Sequence, residues 1–211
     1  MTDSQQVRLL ESICLRDGKM ELLPFHQERV NRSRRQLLGI KKQLNFRTFL
    51  QQQNLPSTGY HKIRIVYGKE IHDWSVTPYE IKTVKHLRVV NMEPFDYRHK
   101  YLDRSQLQQA YTYRDGCDDI LMSWQSFLTD TYYGNIALFD GQKWWTPAHP
   151  LLKGTRRAQL CREARLHPTV IRVPDLKYFK ELRIINSMIP LEDSPSIAIN
   201  QIFLPGQSMV E

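Results

Sequence analysis

Cysteine is scarce in this chain: Cys14, Cys117 and Cys161 are three among 211 residues, far apart and odd in number. No CxxC pair occurs, which argues against a zinc ribbon and a disulfide framework and fits a reducing cytoplasm. No apolar run approaches the roughly 20 residues of a membrane span. Met1 to Gly18 carries scattered charges and no apolar h-region, so it does not read as a signal peptide. The seven histidines show no metal-ligand spacing. Nor is there a dinucleotide fingerprint, a Walker loop or a hydrolase nucleophile elbow. The expectation is a protein without a membrane span and without a metal.

What is present is enough for a core. Hydrophobic residues make up 41% of the chain, and the length suits one large or two small domains. Lys and Arg number 30 against 22 Asp and Glu, a net charge of +8. That balance permits an anionic partner and equally describes a solvated basic surface.

Residues 7–15 read as a strand closed by an Asp17-Gly18 turn. Pro24 suits the first turn of a helix running to Leu38, with Gly39 as its stop. Arg29, Arg32, Arg34 and Arg35 make that helix strongly basic. A second helix covers 46–53. Lys62 to Tyr67 alternates, with Ile63, Ile65 and Tyr67 on one face. Trp74 to Ile81 and His86 to Asn91 are further strands. The stretch Met92 to Arg98 carries Pro94 and little periodicity. The chain therefore divides into a small α+β domain at 1–93, a linker at 94–98 and a larger domain at 99–211. The larger domain opens with a helix over Arg104 to Arg114 and paired strands at Asp119 to Trp124 and Phe127 to Thr131. A hairpin around Asp140-Gly141 joins Asn135 to Phe139 and Lys143 to Thr146. A helix follows over Thr155 to Leu166, then strands near 169–173, 181–186 and 197–203.

Four short segments carry the chemistry. Lys100, among Arg98 and Arg104, is a candidate Schiff-base amine, which must lose its proton to act. By itself it is equally a solvated surface lysine. Asp130 ends an apolar strand between Thr129 and Thr131, and an acid there needs a charged partner if buried. Alternatively it caps a turn. Gly154-Thr155-Arg156 opens a helix, where free N–H groups bind phosphate and glycine lets an anion approach. An ordinary N-cap threonine fits as well. Asn186-Ser187 follows an apolar strand and is either a second phosphate cup or a plain turn. A lysine, a lone acid and two hydroxyl-bearing turns are what a pyridoxal phosphate site needs.

Together these segments resemble the class IV family of pyridoxal-phosphate enzymes, which holds branched-chain and D-amino acid aminotransferases and aminodeoxychorismate lyases. The resemblance spans nearly the whole chain. It begins with Leu10-Glu11-Ser12-Ile13 and Asp17-Gly18, continues through Leu23-Pro24-Phe25-His26-Gln27-Glu28-Arg29, and reaches Lys100-Tyr101-Leu102-Asp103-Arg104. Thr129-Asp130-Thr131 with Asn135-Ile136, then Leu152-Lys153-Gly154-Thr155-Arg156, then Asn186-Ser187 complete it. The resemblance implies that Lys100 forms the internal Schiff base and acts as general base. It implies that Asp130 faces the ring nitrogen. It places Arg29, Asn135, Thr155, Arg156, Asn186 and Ser187 around the cofactor, with Arg29 a bidentate phosphate ligand. His26 touches the site or packs.

The fold implied is the two-domain α/β architecture of fold type IV, a small α+β domain beside a larger pseudo-barrel, with pyridoxal 5'-phosphate in the cleft. Family members usually form homodimers. The leading expectation is a 4-amino-4-deoxychorismate lyase that releases pyruvate and 4-aminobenzoate for folate synthesis in the cytoplasm, without nucleic acid as a partner. Tyr97, Tyr101, Tyr132 and Tyr133 would stack on its ring or pack among themselves. An aminotransferase uses the same residues. A family member without activity and a basic nucleic-acid-binding module are the remaining alternatives. Two departures stand out. The family usually carries glutamate where Asp130 stands, and usually has another strand and a glycine-containing loop before the Leu10-Glu11 segment.

Overall fold

The computed structural model describes residues 7–93 and 95–207. Pro94, on which the linker reading leaned, lies outside the described residues. The chain forms two compact units, one made of the residues up to Glu80 with Tyr97–Asp103, the other of Ile81–Asp96 and the chain from Arg104 onward.

The first unit is built on β1 (Leu9–Arg16), whose alternation sends Leu9, Glu11, Ile13 and Leu15 to one buried face. The Asp17-Gly18 turn returns the chain as β2 (Lys19–Met20). Helix α1 (Leu23–Leu38) has proline in its first turn and ends on Gly39 at φ 68, a left-handed stop that costs glycine little. Leu23, His26, Val30 and Ser33 recur at helical spacing and line its buried stripe. A short α2 (Phe46–Gln51) follows, capped by the Asn45 side chain, which accepts from the Thr48 N–H at 3.0 Å. Then β3 (Tyr60–Tyr67) and β4 (Ile71–Pro78) complete a four-stranded antiparallel sheet in the order β2-β1-β3-β4. Ile63, Ile65 and Tyr67 of β3 are buried with Leu9, Ile13, Val30 and Phe46.

The second unit is a mixed sheet. It begins with β5 (Leu87–Asn91), followed by α3 (Ser105–Thr112) and then β6 (Asp119–Trp124) and β7 (Phe127–Thr131). Next come β8 (Asn135–Phe139), β9 (Trp144–Pro147), helix α4 (Thr155–Arg162) and β10 (His167–Thr169). The chain closes with β11 (Glu181–Ile185), β12 (Ile197–Ala198) and β13 (Ile202–Phe203). The main order is β10-β9-β8-β7-β6-β5-β13, with β11 on the other edge of β8. Ile136 and Leu138 of β8 enter one core, with Leu87, Leu121 and Leu182. Ala137 packs on the opposite side, with Leu160 of α4 and Ile185. That alternation puts Asn135 on the α4 side of the sheet.

The division of the chain differs from the expected one in two places. β5, expected in the first domain, pairs in parallel with β6 along its whole length and belongs to the second unit. The segment carrying Lys100, expected in the second domain, belongs to the first. Backbone pairing with β1, described below, holds it there. The helix expected over Thr155 to Leu166 also stops short, at Arg162. Ala164 turns left-handed at φ 53, and the backbone N–H groups of Arg165 and Leu166 both return to the Leu160 carbonyl.

Gly134 sits where β8 meets β11. A Cβ there would come within 2.6 Å of the Ile185 carbonyl oxygen. Gly134→Ala is expected to destabilise the protein by about 2 kcal/mol, as overpacking against backbone does. A urea titration reads that loss directly.

Candidate active site

In the first unit the site residues start from Glu11. Its place in the inward row of β1 buries it completely, so its charge must be met from within. His26 and Arg29 lie three apart on one face of α1 and meet it together. Arg29 donates Nε to Oε1 at 2.8 Å and Nη2 to Oε2 at 2.5 Å, and His26 Nδ1 lies 2.6 Å from Oε2. Burial alone would raise the Glu11 carboxyl. The Arg29 and His26 charges and the hydrogen bonds from both outweigh it, and the group sits well below the carboxylate range. Burial also holds His26 below its ordinary value in spite of Glu11, with the Arg29 and Lys100 charges adding to the effect. Arg29 therefore spends its two-pronged fork on Glu11. The bidentate phosphate contact expected of it has only Nη1 outside that pair.

Lys100 is held by its backbone. The Leu10 N–H donates to the Lys100 carbonyl at 3.0 Å, the Leu102 N–H to Arg8 at 3.0 Å, and Leu9 and Tyr101 form an antiparallel bridge. Lys100 itself adopts φ 53, a left-handed conformation that costs a non-glycine residue on the order of 1 kcal/mol or more. Its Nζ lies 3.5 Å from Ser12 Oγ. Ser12 is next to Glu11 on the alternate row of β1, so one strand carries the partner of Arg29 and the neighbour of Lys100.

The second unit brings Asp130, Asn135, Gly154 and the Asn186 turn together. Asp130 and Asn135 are directly paired, the one rung joining β7 to β8. Asn135 donates Nδ2 to Asp130 Oδ1 at 2.6 Å and to the Leu152 carbonyl at 2.7 Å. The Leu152 N–H donates to Asp130 Oδ2 at 2.9 Å, and the Gly154 N–H to Asn135 Oδ1 at 3.2 Å. Burial pushes Asp130 up to about 7, against the pull of Leu152, Asn135 and the Arg157 charge. Among the described residues its bonded partners are the Asn135 amide and the backbone N–H groups of Leu151 and Leu152, with no bonded cation. A protonated ring nitrogen would supply one.

Helix α4 begins at Thr155 after Gly154, and no side chain caps it. The Thr155 hydroxyl is buried and has no hydrogen-bond partner. An uncapped helix start with an unsatisfied buried hydroxyl fits an anion such as phosphate. Gly154 has a different reason from the expected close approach of an anion. Its φ is −66, open to any residue, and a Cβ would lie 2.1 Å from Asn135 Oδ1. Arg156 is buried and donates Nη1 to Gln159. Asn186 Oδ1 accepts from the Met188 and Ile189 N–H groups at 2.8 and 3.0 Å, and its Nδ2 donates to the Tyr133 carbonyl. Its side chain thus builds the turn, with the buried Ser187 beside it.

Sequence reasoning quoted Glu11 without seeing it as the partner of Arg29. It also read Asp119 only as the start of a strand, without seeing in it a second buried acid. Asp119 heads β6 and accepts from the Ile120 and Tyr132 N–H groups, and burial raises it to about 7. The one available signal was its place at the head of an apolar strand. Of the tyrosines, Tyr132 stacks near Tyr111 and Tyr133, with Arg104 over its ring at 4.3 Å. That is the packing alternative.

A family model described as amino-transferase class IV matches residues 8–192. A Haemophilus influenzae protein named only as uncharacterized is 31% identical over 182 residues, which is 85% of this chain and 97% of that one. A solved Haemophilus somnus protein named a putative 4-amino-4-deoxychorismate lyase is 28% identical with a TM-score of 0.79, covering 88% of this chain and 98% of that one. A hypothetical aminotransferase from Mycobacterium tuberculosis in its PLP-bound form superposes with a TM-score of 0.75 at 15% identity, over 96% of this chain and 82% of that one.

The two raised acids set a pH dependence. Each holds its proton in the folded state to about pH 7, whereas the unfolded chain releases it near pH 4. The folded state therefore binds more protons between those values, and stability falls as pH rises through them. The slope is at most roughly 1.4 kcal/mol per pH unit for each proton. Below about pH 6.5 His26, kept neutral by burial while the unfolded chain binds a proton, offsets part of the fall. Urea unfolding of the cofactor-free protein from pH 4 to 8 should show the net fall, and Asp119→Asn, which removes one of the two acids, should make it shallower.

Proposed function

Because the chain belongs to the class IV amino-transferase family, we propose that it is a 4-amino-4-deoxychorismate lyase, releasing pyruvate and 4-aminobenzoate as a step of folate biosynthesis. The mixed α/β architecture is that of fold type IV, and the protein is a pyridoxal-phosphate-dependent enzyme. The observation that carries the cofactor reading is the uncapped start of α4 with its unsatisfied Thr155 hydroxyl, beside a buried Asp130 that lacks a bonded cation. The choice of lyase draws on the likeness to the Haemophilus somnus protein, nearly all of which this chain covers.

Pyridoxal phosphate, when bound, supplies an electron sink for bonds at the α-carbon of an amino substrate. The chain's own groups do the rest. Thr155, the N–H groups of Thr155 and Arg156, and Ser187 hold the phosphate dianion. Arg29, the family's phosphate-binding arginine by resemblance, has Nη1 outside its pair with Glu11. Asp130, kept ionised by its partner, holds the proton on the ring nitrogen. Lys100 Nζ takes the α-proton of the substrate. Its pinned backbone fixes the root of the side chain, and only the four-carbon stem has to settle. The protein acts as a homodimer in the cytoplasm, and no helix among the described residues is long and apolar enough to cross a membrane.

Of the basic residues behind the nucleic-acid alternative, Arg34 is buried and donates to the carbonyls of Gly68, Lys42 and Lys69, which takes it away from nucleic-acid phosphates, while Arg35, Lys41 and Lys42 are exposed.

Wild type mixed with pyridoxal phosphate is expected to show a visible absorption band that borohydride traps on Lys100, and Lys100→Ala is expected to lack it. With 4-amino-4-deoxychorismate the loaded enzyme should release pyruvate. Keto acid from amino donors, without that pyruvate, would instead make it an aminotransferase.

A further inference from the structure

We propose that Asn135 is a positioning residue and not a ligand of the cofactor: its carboxamide ties the Asp130 carboxylate to the first turn of α4, so that acid and helix start keep one fixed spacing. The inference builds on the reading of Asp130 and α4 as cofactor-binding groups, and it goes further by giving Asn135 and Gly154 one joint task.

Three bonds determine which way the carboxamide points. The amide nitrogen faces two acceptors, Asp130 Oδ1 and the Leu152 carbonyl, and the amide oxygen faces one donor, the Gly154 N–H. The reverse orientation would set oxygen against two oxygens and nitrogen against an N–H. Both N–H donors of Asn135 are therefore used, and it has none to offer a phosphate or a ring oxygen. The Leu152 N–H closes the ring by donating to the other oxygen of Asp130.

Gly154 is the second half of the device. Its backbone conformation suits any residue, yet a Cβ would lie 2.1 Å from Asn135 Oδ1. The glycine is required by the carboxamide seated against it. The alternation of β8, which turns Asn135 toward α4 beside the small Ala137, brings the two together. An aspartate one methylene shorter than the family's usual glutamate has less freedom to adjust its reach. Its carboxylate goes where this ring holds it.

The groups acting on Asp130 are few. From α4 it is the Arg157 charge, from β8 the Asn135 amide, and from the loop before α4 the backbone N–H groups of Leu151 and Leu152. Loss of the amide removes a donor that favours the ionised carboxylate, so the Asp130 titration moves upward.

The test is a carbon-13 carboxyl titration of the cofactor-free protein, with Asp130→Asn identifying the resonance. Asn135→Ala should raise the Asp130 midpoint by about one pH unit. Gly154→Ala, which reaches Asp130 only through Asn135, should raise it similarly by displacing the carboxamide. The double variant should go no further than the larger single shift, because both act through one link. If Asn135→Ala does not fold, Asn135→Ser, too short to span both partners, replaces it. An unmoved midpoint in Gly154→Ala, or two shifts that add in full, overturns the proposal. Pyridoxal phosphate affinity by equilibrium dialysis is the second readout, expected to weaken roughly tenfold in both single variants. Equal affinity in wild type and variants overturns the positioning role. A wild type that holds no pyridoxal phosphate, while the titrations shift together, overturns the cofactor reading and leaves the link standing.

Discussion

Glu11 occupies a core position in β1, with Leu9 and Ile13 as its neighbours along the row. A carboxylate there is tolerated only if charge and hydrogen bonds reach it inside the protein. His26 and Arg29 do so from one face of α1, and this constrains both the rotation of the helix and its distance from the sheet. The same strand, one residue on, presents Ser12 beside Lys100, and its backbone holds the lysine's segment. The buried ion pair and the Lys100 amine thus share one support. A shift of β1 that disturbed the first would move the second.

The second unit meets its buried acid differently. Asp130 is answered by neutral donors, from Asn135 and the loop before α4, with only the Arg157 charge acting on it from the helix, and burial lifts its carboxyl to about 7. Glu11 and Asp130 are both buried acids, yet one is locked ionised and the other is poised to be ionised by a cationic partner. That difference follows from who the partners are: a guanidinium in one case, an amide and backbone N–H groups in the other.

The sequence was most legible where periodicity and turn chemistry agree. The Asp17-Gly18 turn, the α1 stop at Gly39, the inward row of β3 and the Asp140-Gly141 hairpin all lie where local pattern puts them. It was least legible where a residue's task is set by distant neighbours. Four arginines make α1 read as strongly basic, with Arg29 facing a phosphate, but Arg29 and Arg34 turn inward because Glu11 and the carbonyls of two loops call for them. β5 reads as the last strand of the first domain, since nothing local reveals that its partner is β6. Gly154 reads as room for an anion, whereas it makes room for Asn135. In each case a deciding atom lies far away in sequence: Glu11 is 18 residues from Arg29, Gly68 is 34 from Arg34, and Asn135 is 19 from Gly154.

Lys100 shows how strain and anchoring work together. A left-handed lysine is unfavourable on its own, and it persists because hydrogen bonds from Leu10 and Leu102 and the bridge at Tyr101 fix the chain on both sides. A long flexible side chain places its amine imprecisely unless its root is fixed, since each free torsion spreads the tip. Pinning the backbone removes that part of the spread, at a cost of about a kilocalorie of strain that the hydrogen bonds on both sides offset.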